Sequence, residues 1–232
     1  MFENQPDLSK TQQQVAMNRP LWGRIMFVVS MLASASIAAA PGSRRVTIGN
    51  YGKLEGVASG YAWVAASKGA SIASPNPCNS SGCFGDTGGQ LCTKGKIAAL
   101  VCSGQGSAQY KCNWEENWGL VLGFNTTNPA GPWGMGAPHT LAVQYTSVAS
   151  GGTTGHFRLT AHVAGDPYSK QFCIDNYSPG AVVQARDMKS QCWFNSGDVL
   201  PSFNQVDTVG LLRVSENTAV DFNFCVTGIM TN

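Results

Sequence analysis

Charge is scarce in this chain. Asp, Glu, Lys and Arg supply only 12% of its 232 residues, the formal net charge is +2, and the basic residues form no run or stripe. A nucleic-acid partner needs a clustered positive footprint to neutralise phosphates, so that class is excluded. Catalytic signatures are missing as well: there is no G-x-S-x-G elbow, no H-E-x-x-H, no glycine-rich phosphate loop opening a helix and no EF-hand pattern. No C-x-x-C pair occurs, which removes the usual spacing of a zinc thiolate site. Amphipathic helical periodicity is absent beyond residue 40, and there is neither an internal repeat nor a low-complexity linker.

What is present begins with an address. Residues 25–40 (IMFVVSMLASASIAAA) are an uncharged apolar run preceded by Arg19 and Arg24 and ending in small residues. That order is the n-region, h-region and exit of a secretory signal peptide. The run is shorter than the roughly 20 residues of a membrane-spanning helix, so no stable membrane anchor is expected once the leader is cut. Pro41 disfavours cleavage directly after Ala40 and places the cut after Ala38 or Ala39. The expectation is therefore a leader over residues 1–39 and one β-sandwich domain over 40–232, secreted or displayed at the cell surface.

All eight cysteines follow the leader: Cys78, Cys83, Cys92, Cys102, Cys112, Cys173, Cys192 and Cys225. An even number in an exported chain reads as disulfides, with 105 pairings open and the close spacing of Cys78 and Cys83 suggesting one local loop. Five of them fall in a Gly-, Ser- and Asn-rich stretch, 78–112, that has too few apolar residues to hold itself by packing. Disulfides are expected to staple it, at roughly 2–4 kcal/mol per bridge.

Alternation of apolar and polar residues predicts strands almost throughout. In HTLAVQYTS, Leu141, Val143 and Tyr145 alternate with Thr140, Ala142 and Gln144; in HFRLTAHV, Phe157, Leu159, Ala161 and Val163 alternate with Arg158, Thr160 and His162. The Gly-rich link VASGGTTG predicts that these two form an antiparallel hairpin. The closing segment AVDFNFCVTGI puts Val220, Phe222, Phe224 and Val226 on one face and Asp221, Asn223 and Cys225 on the other. Further strands are predicted in RRVTIGN, SGYAWVAAS, KGKIAALVC, NWGLVLGFN, KQFCIDN, GAVVQAR and TVGLLRVS. Nine or ten short strands punctuated by Gly and Pro describe an all-β chain, an antiparallel β-sandwich of jelly-roll type, with a closed barrel as the structural alternative.

Function has to be read from the aromatic residues. Beyond the leader the tryptophans are Trp63, Trp114, Trp118, Trp133 and Trp193. A flat ring exposed among amides and short carboxylates stacks on the C–H face of a sugar while its neighbours bond the hydroxyls. Trp118 shares an alternation face with Leu120, Leu122 and Phe124 and reads as core. Trp114 and Trp133 fall in loops, and Trp193 in a turn-like segment pinned by Cys192; these three are the platform candidates. The histidines His139, His156 and His162 read as solvated strand-face residues. The acids Glu115, Glu116, Asp175, Asp187, Asp198, Asp207 and Asp221 are too scattered to nominate the facing pair a glycosidase needs.

The order of several segments also resembles a family: LCTKGKIAALV, then NWGLVLGFNTT, FRLTAHV, QFC and a closing FNFCVTGI, together spanning about residues 57–229. In these the chain is similar to secreted jelly-roll domains of myxobacteria and related bacteria that resemble galactose-binding-like and carbohydrate-binding modules. The resemblance implies a non-catalytic β-sandwich that binds a polysaccharide or cell-surface glycan. It makes Asn125, Gln144, Arg158, His162, Asp221 and Asn223 candidates for a polar sheet face. The cysteines between 78 and 112, and the lack of an attached catalytic domain, depart from that pattern. A structural or adhesive surface protein and a glycosidase or polysaccharide lyase remain the alternatives. No cofactor is expected beyond a structural calcium in a loop, for which Asp86 and Asp198 are the conceivable ligands.

Overall fold

A computed structural model describes residues 44–49, 52–74, 85–86, 89–104, 111–114, 116–147 and 155–232. The expected leader, the cysteines at 78 and 83 and the link at 148–154 lie outside these residues, and Asp86 lies in a strand whose side chains are not described. In chain order the strands are β1 (Arg44–Ile48), β2 (Leu54–Glu55), β3 (Ala62–Ala66), β4 (Ala70–Ser74), β5 (Gly85–Asp86), β6 (Leu91–Ile97), β7 (Cys102–Ser103), β8 (Lys111–Cys112) and β9 (Gly119–Asn125). They continue as β10 (Thr140–Ser147), β11 (Phe157–Val163), β12 (Gln171–Ile174), β13 (Val183–Gln184), β14 (Lys189–Gln191), β15 (Ser196–Val199), β16 (Val206–Val214) and β17 (Val220–Thr231). No α-helix occurs among the described residues. In KGKIAALVC the strand stops at Ile97, before the apolar run reaches Leu100.

Two antiparallel sheets share one apolar core in a sandwich-like arrangement. In the first sheet β17 is central: one edge pairs with β10, and the other is divided between β6 (Val220 to Val226) and β1 (Ile229 to Thr231). The second sheet runs β15-β14-β12-β11-β16-β9-β3. The alternation in β17 holds, with Phe222, Phe224 and Val226 buried and Asp221 and Asn223 exposed. From the second sheet Leu122, Leu159 and Leu211 face inward in one row across β9, β11 and β16. Burying each such side chain stabilises the sandwich by roughly 1.5–3 kcal/mol. The two layers meet through rings: Phe157 stands edge-on to Phe224 at 5.2 Å and lies 4.5 Å from Tyr145.

The expected hairpin between β10 and β11 does not form. β10 pairs with β13 and β17, whereas β11 pairs with β12 and β16, so the chain leaves one sheet after Ser147 and enters the other at Phe157. The reason is that both strands have one strongly apolar face, and each buries it by facing the other across the core instead of lying beside it. The outer face of β11 is also covered: Thr160 and His162 are buried although both point away from the sandwich interior.

Three disulfides occur among the described residues. Cys102–Cys112 closes a two-stranded ribbon of β7 and β8, and Cys173–Cys192 joins β12 to the turn after β14. Cys92 bonds Cys225 directly across β6 and β17, 133 residues away. The Cys92–Cys225 bond thus staples the Gly-rich stretch to a distant strand, β17, while Cys102–Cys112 closes a loop within the stretch.

Candidate functional site

The second sheet has one end where four strands start or stop together. β9 begins at Gly119 opposite the end of β16 at Val214, β11 begins at Phe157 opposite Arg213, and β12 ends at Ile174 opposite Leu159. Two depressions, each with an exposed tryptophan in its lining, lie at this end.

The first depression there has a volume of about 470 Å³ and includes Asp175, Asn176, Lys189, Trp193, Phe194 and Asn195 in its lining. Trp193 is 49% exposed and meets Phe194 edge-on at 6.1 Å. The Cys173–Cys192 bond immediately before it, in a three-residue 3-10 turn (Cys192–Phe194), fixes the backbone that presents the ring. Beneath the indole the Arg158 guanidinium lies 5.3 Å from the ring centroid, a cation–π contact that holds ring and charge together.

Arg158 in turn grips Asp175, with its Nε and Nη2 2.9 and 2.8 Å from the same carboxylate oxygen, and His156 Nε2 lies 2.8 Å from that oxygen too. Burial alone would raise the Asp175 carboxyl. The hydrogen bonds and charges of Arg158 and His156 outweigh it and hold Asp175 below the usual carboxylate range. Ionised, it is an acceptor only, with capacity left for a hydroxyl. In the same lining Lys189 Nζ donates to the backbone oxygen and side-chain oxygen of Asn195, at 3.0 and 2.9 Å. Asn176 and Asn195 are the only non-glycine residues with positive φ among the described residues, at 52° and 51°, and both line this depression. Asparagine tolerates the left-handed region better than most residues, and two such turns place two amide side chains in one lining.

A second depression of about 450 Å³ lies at the same end, lined by Leu100, Cys112, Trp114, Ser215, Glu216, Asn217 and Thr218. Trp114 is 48% exposed.

The other expected site residues fall elsewhere. Trp133 is not a platform: it is 6% exposed, and its Nε1 donates to the Val57 oxygen at 2.6 Å. Its own backbone N–H bonds Val206, folding the loop after β9 back onto the sandwich so that the ring enters the core. The six candidates for a polar face are divided between the sheets. Gln144, Asp221 and Asn223 belong to the first sheet, the latter two opposite Lys96 and Lys94. Asn125 and His162 lie in one row of the second sheet with Thr208 between them. His162 is not solvated: it is 4% exposed, with Asp207 on Nδ1 at 2.8 Å, the Asp166 carbonyl on Nε2 at 3.0 Å and Tyr168 stacked at 4.6 Å. Asn125 accepts from Trp63 Nε1 at 3.1 Å.

Trp63 is the ring that sequence reasoning passed over. It lies against Gly123, where an added Cβ would come within 2.4 Å of the indole, on the outer face of the second sheet. Alternation with the buried Ala62 marked it as outward-facing. The linkage of Asp175 to Arg158 and His156 had no sequence signal, since it joins residues 17 and 19 apart across paired strands. Asp198 is exposed, and no group of three His, Cys, Asp or Glu side chains gathers among the described residues as metal ligands would. No helix among them is long and apolar enough to cross a membrane. Compared with protein-family models and with curated proteins, the chain matches none.

Proposed function

We propose that the protein is an exported, non-catalytic binding protein of jelly-roll type, released from its leader near residue 39, and that its ligand is a carbohydrate held on Trp193. The observation that carries this reading is the half-exposed, disulfide-anchored indole at the edge of a depression whose rim is Asp175, Asn176, Lys189 and Asn195. An apolar ring face beside fixed acceptors and amides suits the alternating C–H and hydroxyl surface of a pyranose. The charges around it compensate: Asp175 is bound to Arg158, and Lys189 shares the lining with Asp187. That balance favours a neutral sugar. Three disulfides fit an oxidising compartment.

The test is retention of the purified protein on insoluble cellulose, chitin and xylan. We expect binding to at least one, and Trp193→Ala to weaken it about tenfold or more, which is a loss near 1.4 kcal/mol, with the thermal melt unchanged. Binding that survives Trp193→Ala overturns the site. Accumulation of reducing ends overturns the non-catalytic reading, and self-association without retention on any of the three overturns the carbohydrate reading itself.

A further inference from the structure

We infer that the ligand is a chain of several sugar units gripped at two places, with Trp114 as the second platform beside Trp193. This rests on the carbohydrate reading above and extends it from one ring to a polymer.

The two depressions repeat one design. Each is lined by an exposed tryptophan, and each tryptophan directly follows or lies two residues after a half-cystine, Cys192 before Trp193 and Cys112 before Trp114. The backbone that carries the second ring is pinned as well. Cys102–Cys112 closes the ribbon before it, Asn113 Oδ1 accepts from Val101 N at 2.9 Å, and the Asn113 backbone oxygen accepts from the N–H groups of Glu116 and Asn117. A ring on such a turn loses little freedom when it stacks on a ligand, so more of the contact energy appears as affinity.

The second depression also contains polar chemistry with no structural use. Ser215 lines it, is 3% exposed, and its hydroxyl has no hydrogen-bond partner among the described residues. That Oγ is itself closed to solvent, so a ligand meets this wall through its exposed neighbours. Thr218 and Asn217 add exposed groups at the same wall.

The two places are joined by one residue. Glu216, in the second lining, takes Arg213 Nη1 on its Oε1 at 2.8 Å and the His156 backbone N–H on the same oxygen at 3.5 Å. The imidazole of that same His156 meets Asp175 in the first lining. His156 and the carboxylates on its two sides thus bridge the depressions, and their side chains are 30%, 18% and 37% exposed. A single sugar fills one depression; a chain that crosses His156 reaches both. Linking two weak contacts in one ligand raises affinity by making the second contact intramolecular.

The experiment is calorimetric titration of the full chain with the disaccharide and the hexasaccharide of cellulose, chitin and xylan. For the polymer that is bound, the hexasaccharide is expected to bind at least tenfold more tightly than the disaccharide. Trp114→Ala is expected to reduce that ratio to within about twofold. Equal affinity for the two lengths, or a ratio unaltered in Trp114→Ala, overturns the two-platform inference while leaving Trp193 in place. Absence of heat with all six sugars overturns the carbohydrate reading and this inference with it. Trp114 is half exposed on a surface turn, and a circular dichroism melt of the variant superimposing on that of the parent establishes that the loss is one of contact.

Discussion

Trp133 and Trp193 both follow residues that promise a turn, yet one ring is 6% exposed and the other 49%. What separates them is where the backbone hydrogen bonds go. Trp133 N–H bonds Val206 and pulls its loop over the sandwich end, whereas Trp193 sits in a 3-10 turn held outward by Cys192. The half-cystine was visible in the sequence and the Val206 bond was not, so only one of the two environments was legible. Trp133→Ala leaves a cavity and an unpaired Val57 carbonyl, and should destabilise the fold by about 3–5 kcal/mol. A urea-denaturation midpoint measures it, and the folded fraction of that variant should still be retained on polysaccharide. The same reasoning explains His162. Alternation placed it on the outer face, which is where it is. Burial by Tyr168 and pairing with Asp207 came from residues that neighbour it only after folding.

Alternation finds strands and the face each side chain takes, because a period of two is local. It does not find partners. Every strand-like segment carries a strand, but β10 and β11, joined by a Gly-rich link, belong to different sheets. The same limit divided the expected polar face: Gln144 and Arg158 are both outward on their strands, and the strands face opposite ways. At this scale the Cys173–Cys192 bond is the element that presents the candidate site, linking the end of β12 to the turn after β14 across 19 residues. By restricting the unfolded chain it should contribute roughly 3 kcal/mol. The double variant Cys173→Ala/Cys192→Ala should lower the melting temperature accordingly. It should also weaken polysaccharide retention beyond the loss of folded protein, because Trp193 loses its anchor. Retention per folded molecule equal to the parent's would show that the bond serves stability alone.

The whole molecule depends on contacts between its layers, and one set of them titrates. Tyr145 packs on Phe157 of the opposite sheet and donates to the Tyr177 carbonyl at 2.7 Å. Tyr177 accepts from Val143 N at 2.7 Å and donates to Ala181 at 2.9 Å. Burial pushes both phenols up to about 12; at Tyr177 the charge of Tyr145 adds to this and the bond from Val143 opposes it. Groups raised from 10 in the folded state stabilise it fully below pH 10, and that stabilisation is lost as pH rises toward 12. Melting temperature should therefore fall across that window, and Tyr145→Phe, which cannot ionise, should flatten the fall. The all-β class and the core strands were legible at this scale because they depend on composition and period. The pairing of distant segments was not, because it depends on which apolar faces meet.

The place of β17 sets an order in time. Its residues, 220–231, supply the strand on which β10, β6 and β1 all pair, so the first sheet has no middle until those residues have been synthesised. Earlier segments emerge as strands awaiting an absent neighbour, and long-range pairing of this kind is slow to complete. Until then β10, β6 and β1 each keep one edge unpaired, and an unpaired edge is a template for aggregation that β17 removes.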